Sequence, residues 1–169
     1  QLFREPRPSC QDRGRLCPRR QTQAADQPGV QGWVVEAPAH HQLTVDWWQH
    51  IQPQVNCFVS SFVVEEISKG DIHTAQRRVK AVSHLPVLQH HDEIEQLAHT
   101  YFAALSLPKK AELDAFHLAT AVWYKLDYLL SWNSKHIVGT RVKKIVQDLN
   151  RQYGRPTPII CTPEDFTEI

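Results

Sequence analysis

The most nearly apolar stretch of the chain runs from Glu112 to His136, ELDAFHLATAVWYKLDYLLSWNSKH. Leu113, Ala115, Phe116, Leu118, Ala119, Ala121, Val122, Trp123 and Leu126 leave its first half almost without a polar face. A helix apolar nearly all round is covered on several sides. Asp127 breaks the run, and Tyr128-Leu129-Leu130-Ser131-Trp132 is short and apolar, as a strand buried on both faces is. The pattern predicts a buried helix feeding a buried strand, with Asp114, His117 and Asn133 as polar exceptions. Asp114 and His117 stand three apart and share one helix face. Asn133 follows the carboxyl end of the strand, where open α/β sheets place their ligands. Singly, each has an ordinary explanation, since Asp suits a first helical turn and Asn suits a turn after a strand. Together they gather polar groups around one point.

The same reading orders the chain from Gln42 onward. Leu43 to Ile51 suits a helix, with Trp47 and Trp48 offering large apolar area to a core or to a dimer contact. Val55–Val59 reads as a strand. Ser60 is an N-cap for a short helix from Ser61 to Ser68, stopped by Gly70. Asp71 caps a helix reaching about Ser83. Pro86–Leu88 is a short strand, and Asp92 to Leu105 carries Ile94, Leu97, Ala98, Tyr101 and Leu105 at helical spacing. Thr140 caps a last long helix that turns Val142, Ile145, Val146 and Leu149 inward, and Gly154 ends it. Thr157–Cys161 is a final strand, followed by Thr162 as N-cap and Pro163 at the first helical position. Strands alternating with helices predict an α/β fold with a mostly parallel sheet covered on both sides.

Composition changes the picture at the amino-terminal end. Residues 1–40 hold five of the eleven prolines, three of the six glycines and six arginines, but no lysine and no isoleucine. Only Gly32–Glu36 reads as a strand there, and the rest is expected to be loose coil. The chain thus divides into an atypical segment, 1–40, and a folded domain, 41–169. A net charge of +1 gives no global argument for nucleic acid, so any such site is a local patch. No apolar run is long enough to span a bilayer, and no signal-peptide pattern opens the chain. Cys10, Cys17, Cys57 and Cys161 lack zinc-ligand or CxxC spacing; Cys57 and Cys161 read as small buried hydrophobes, and a reducing cytoplasm is expected.

Asp114-Ala-Phe-His-Leu-Ala and Asp127-Tyr-Leu-Leu-Ser-Trp-Asn-Ser-Lys-His136 resemble the carboxy-terminal half of a PIN domain. The likeness is greatest to the PIN proteins grouped with toxins of bacterial type II toxin–antitoxin systems, and it extends from about Gln42 to Glu164. It implies a three-layer α/β/α fold with a central, mostly parallel sheet. In that family the first strand is central and ends in an acid that binds metal. The strand's acidic motif is not seen in this sequence, so the first strand is expected to be missing: the corresponding region holds Pro18-Arg-Arg-Gln-Thr-Gln, and Glu36 lies too close to Gln42. An altered start and a divergent extension both account for residues 1–40.

The resemblance assigns the site residue by residue. Glu66 falls on the family's second acid, with Glu65 a near neighbour, and Asp114 on the next. Asn133 occupies the position where this subgroup commonly has Asn. Glu66, Asp114 and Asn133 are the expected catalytic set, with Glu66 and Asp114 as metal ligands. Lys135, His136 and His117 are expected to face substrate or to stand behind the ligands. Carboxylates brought together repel unless a cation joins them, and oxygen ligands suit Mg²⁺ or Mn²⁺. Lys109, Lys110, Arg141, Lys143 and Lys144 add scattered positive charge of the kind that contacts phosphate. The implied activity is metal-dependent ribonuclease, with RNA as substrate, a small antitoxin protein as partner and a homodimer as assembly. The competing expectation is a non-catalytic PIN-like module that binds nucleic acid or protein, because one acid is missing.

Overall fold

The computed structural model describes residues 2–4 and 38–166. Its strands are β1 Leu2–Arg4, β2 Asn56–Ser60, β3 Val87–Leu88, β4 Tyr128–Leu130 and β5 Ile159–Cys161. Its helices are α1 Pro38–His50, α2 Ser61–Ile67, α3 Ile72–Val82, α4 Asp92–Leu105, α5 Glu112–Trp123, α6 Thr140–Gln152 and α7 Pro163–Phe166. Helix and strand are mixed as an α/β fold requires.

Side-chain caps mark the starts of three helices, α2, α3 and α7. The Ser60 hydroxyl accepts from the Val63 N–H at 3.2 Å, and the Asp71 carboxylate from the Thr74 N–H at 2.9 Å. Thr162 and Asp165 bond reciprocally, at 3.1 and 2.9 Å, to start α7. Each cap satisfies an amide that the first turn leaves without a carbonyl partner. Thr140 departs from its expected role: it is the first residue of α6, and Gly139 holds the cap position.

The strands lie in the order β3-β2-β1-β4-β5. β2 and β3 pair in parallel, as do β4 and β5, while β1 runs antiparallel to both β2 and β4. β2, β3, β4 and β5 therefore point one way and β1 points the other. Four of the five strands thus share a direction, while the two ladders made by β1 are antiparallel. Two parts of residues 1–40, a segment expected to be mostly loose coil, are ordered into elements. Leu2 pairs with Phe58 and Leu129 in the middle of the sheet, and α1 begins at Pro38. Three residues of strand are too short for hydrophobic periodicity to reveal. Gly32–Glu36 lies outside the described residues.

Alternation along the strands divides the core in two. Phe58, Leu129 and Ile160 join Ile94, Leu97, Tyr101, Leu118 and Val146 on one face. Cys57, Val59, Tyr128, Leu130 and Cys161 join Trp47, Trp48 and Phe166 on the other. Both tryptophans are buried, Trp47 fully so, and the Trp47 ring meets Phe166 edge-on at 6.2 Å. Burial pushes the Cys57 and Cys161 thiols up to about 11, as befits residues packed as hydrophobes. Asn150 is among the polar residues buried in the core. Asn150, on the inward stripe of α6, accepts from the Tyr101 hydroxyl of α4 and donates to the Thr157 hydroxyl at 3.0 Å. It ties α4, α6 and the approach to β5 together.

Phe3→Pro tests the middle strand. Proline removes a ladder donor and is excluded from central strands, so the thermal midpoint should fall by the equivalent of at least about 1 kcal/mol. An unchanged midpoint would mean that β1 does not join β2 to β4.

Candidate functional site

The carboxyl ends of β2 and β4 share one edge of the sheet because both strands run against β1. β2 passes directly into α2, and β4 into the loop carrying Asn133. α5 brings its first turn to the same edge. Residues from three places in the sequence thus meet there.

Asn133 is held on every side. Its N–H donates to the Ser131 hydroxyl at 3.0 Å, and its carbonyl accepts from Ile137 and Val138 at 3.0 and 2.9 Å. These bonds open a single π-type turn, Ser134–Val138. Such turns are uncommon and frequently occur at functional sites. Gly139 closes it, where a Cβ would lie 2.7 Å from the Ser134 carbonyl oxygen. Trp132 braces the loop by donating to the Thr44 hydroxyl of α1 at 2.9 Å. The Asn133 side-chain oxygen accepts from the His136 N–H at 3.0 Å. A backbone N–H only donates, so this bond fixes which end of the amide is oxygen. The amino group then donates to the Asp114 carboxylate, also at 3.0 Å. Asn133 thus presents its amide nitrogen to Asp114 and orients that carboxylate.

Glu66 arrives from the other half of the sheet. α2 docks on α5 through Phe62 and Phe116, whose rings lie 4.6 Å apart. Glu66 stands one helical turn beyond Phe62, and His117 follows Phe116. The His117 Nε2 lies 3.5 Å from the Glu66 carboxylate. His117 is buried, and its Nδ1 has no hydrogen-bond partner among the described residues. The tautomer with its proton on Nε2 leaves only an acceptor unpaired. Glu65, the neighbour, faces away and pairs with Lys69 at 2.8 Å. The geometry thus separates two acids that the sequence left adjacent.

The two carboxylates differ in character. Burial holds Asp114 above the ordinary carboxylate range, against the pull of His117, His136 and the Asn133 bond, while the charge of Glu66 adds to the rise. The hydrogen bond from His117 holds Glu66 below its ordinary range, although partial burial opposes it. His136 is thus close enough to Asp114 to act on its charge. Lys135 is exposed on the same turn and its side chain has no partner among the described residues. Lys109, Lys110 and Arg141 are also exposed. Lys144 pairs with Asp148 at 3.5 Å.

The donor set suits a hard cation that keeps most of its water. Mg²⁺ is commonly held by one or two carboxylates, and Glu66 and Asp114 stand together on this edge. A closed cage is not formed: among the described residues no three His, Cys, Asp or Glu side chains are gathered to hold a metal ion. β1 supplies no carboxylate. It is Leu-Phe-Arg, and its reversed direction puts Leu2, not Arg4, toward the site edge. No family model, curated protein or solved structure matches the chain. Among the described residues no helix is long and apolar enough to cross a membrane.

Asp114 binds its proton more tightly in the folded protein than in the unfolded chain. Its contribution to stability is present below the unfolded pKa and is lost as pH rises through the raised folded value. Glu66 has the opposite sign: its contribution is present above the unfolded pKa and lost as pH falls through the lowered folded value. Asp114→Asn keeps an oxygen acceptor for Asn133 and removes the costly charge. Its thermal midpoint should exceed the parent's near neutral pH, with the difference vanishing below about pH 4. A midpoint at or below the parent's at neutral pH would contradict the assigned cost.

Proposed function

We propose that this chain is a PIN-like domain whose Glu66–Asp114 edge hydrolyses phosphodiester bonds in RNA with a weakly held Mg²⁺ or Mn²⁺. The carrying observation is the fixed bond from Asn133 to Asp114 beside the His117–Glu66 pair, at the carboxyl ends of β2 and β4. The residues are those that the PIN resemblance names, and helices on both faces of the sheet suit its three-layer α/β/α form.

In this reading Glu66 and Asp114 hold the cation. When bound, it supplies an acidified water and neutralises charge on the attacked phosphate. Asn133 keeps the Asp114 carboxylate aimed at the edge, and His117 keeps Glu66 beside it. Lys135 offers exposed positive charge to a phosphate, a contact that positions RNA without reading its sequence. His136, close to Asp114, offsets its charge when protonated. Hydrolysis forms a phosphorus–oxygen bond to water and breaks the one to the leaving oxygen. The partner in this reading is a small antitoxin protein, and a second copy of the chain is the natural assembly.

A second reading is favoured by one observation, the lack of any carboxylate on β1. With two formal charges instead of three, the domain would bind nucleic acid or protein without cutting. Cleavage of a mixed RNA pool separates the two. The nuclease reading expects slow cleavage that EDTA stops, faster with Mn²⁺ than with Mg²⁺ because Mn²⁺ binds such sites more tightly. Asp114→Asn should abolish it, and Asn133→Ala should lower it roughly 10–100-fold, the usual cost of removing a group that orients a metal ligand. RNA binding without cleavage in either metal would establish the second reading.

A further inference from the structure

The opposite end of α5 carries a second feature. Asp114 and Trp123 are nine residues apart, roughly 14 Å along the helix axis. Around Trp123 lies an open pocket of about 580 Å³, lined by Val122, Trp123, Lys125, Gly154, Arg155 and Pro156. Its volume is ordinary for a small-molecule site. Trp123 is 37% exposed, and its ring lies 6.3 Å from that of His91. No carboxylate lines the pocket, and two cations do.

The ordinary explanation for Lys125 and Arg155 is that they neutralise the carbonyl ends of α5 and α6. The backbone already answers much of that need. Lys125 N–H donates to the Val122 carbonyl at 3.1 Å, and Leu126 N–H to Ala121 at 3.0 Å. Gly154 N–H donates to Arg151 at 3.3 Å, and Arg155 N–H to Asn150 at 2.8 Å. Both helices close with a left-handed residue, but they use different ones. α6 uses Gly154 at φ +63°, the residue that suits this conformation. α5 uses Lys125 at φ +52°, where a Cβ is strained. The Lys125 ammonium has no hydrogen-bond or ion-pair partner among the described residues. Arg155 lies over the Tyr153 ring, 5.6 Å from its centroid. A lysine thus holds the left-handed position beside an exposed indole and a guanidinium, as Ser106 holds it at the end of α4.

We infer that this pocket is a nucleotide site, in which a base stacks on Trp123 and its phosphate is held by Lys125 and Arg155. An aromatic face takes any base, and paired cations take the phosphate without regard to sequence. The same chemistry is offered by a free nucleoside monophosphate and by one unit of a single strand. The assignment does not depend on whether the Glu66–Asp114 edge cuts RNA, since the two places are separate and share no residue.

The test is titration of the full chain with 5′-AMP, adenosine and inorganic phosphate, followed by NMR of the Trp123 indole and the Lys125 and Arg155 amides. The expected result is that AMP shifts these signals and binds at least tenfold tighter than adenosine or phosphate alone. Lys125→Gly relieves the left-handed strain, so its thermal midpoint should hold or rise while AMP affinity falls at least tenfold. Trp123→Ala should also lose AMP, with phosphate binding unchanged. A 5′-phosphorylated tri-adenylate binding tenfold tighter than AMP assigns the site to a strand, and equal affinity assigns it to the free nucleotide. The inference is overturned if AMP leaves these signals unmoved, if phosphate alone matches AMP, or if Lys125→Gly binds AMP as the parent does.

Discussion

The strand pairs β2–β3 and β4–β5 are joined through β1. That constraint sets the site. Glu66 follows β2 and Asn133 follows β4, so the two halves of the polar edge are held two strand spacings apart, roughly 10 Å. α5 crosses that gap with Asp114 and His117 on one face. His117 reaches back toward Glu66, and Asn133 reaches in toward Asp114. Were the middle strand lost, each half would keep its local caps and turns, but the distance between them would no longer be fixed.

The charge balance on this edge follows from the same strand. A strand running with its neighbours would bring its carboxyl end to the site. β1 brings its beginning instead, and its residues carry no acid. What is left is asymmetric: one carboxylate raised by burial and held by an amide, and one lowered by a histidine and more open to solvent. Two carboxylates of unlike environment can hold a hydrated divalent ion, but only loosely, because affinity follows ligand charge and count. The fold and the chemistry of the edge are therefore set by the direction of three residues.

Much of this was legible in the sequence. The stripe Ile94, Leu97, Ala98, Tyr101 and Leu105 is the buried face of α4, and Tyr128–Leu130 is a strand buried throughout. Helical period and strand length are strong signals when the segment is long or wholly apolar. The gathering of Asp114, His117 and Asn133 was also legible, because strand ends and helix starts lie on one edge of an α/β sheet. Other features depend on tertiary contacts that leave little trace in sequence. β1 is too short to show a period. Glu65 and Glu66 differ only in which of them meets His117. The orientation of the Asn133 amide depends on the His136 N–H, within a π-type turn that no residue pattern announces. Asn150 sits where the stripe of α6 calls for an apolar residue, a sign that could have marked its bond to Tyr101.

Sub-stoichiometric Mn²⁺ added to isotope-labelled protein tests the central claim most directly, because a bound paramagnetic ion broadens the signals of the residues around it. The account predicts that Glu66, Asp114, His117 and Asn133 broaden first, that excess EDTA restores them, and that Asp114→Asn prevents the effect while keeping the fold. Broadening centred on other acids, or the same broadening in Asp114→Asn, would contradict it.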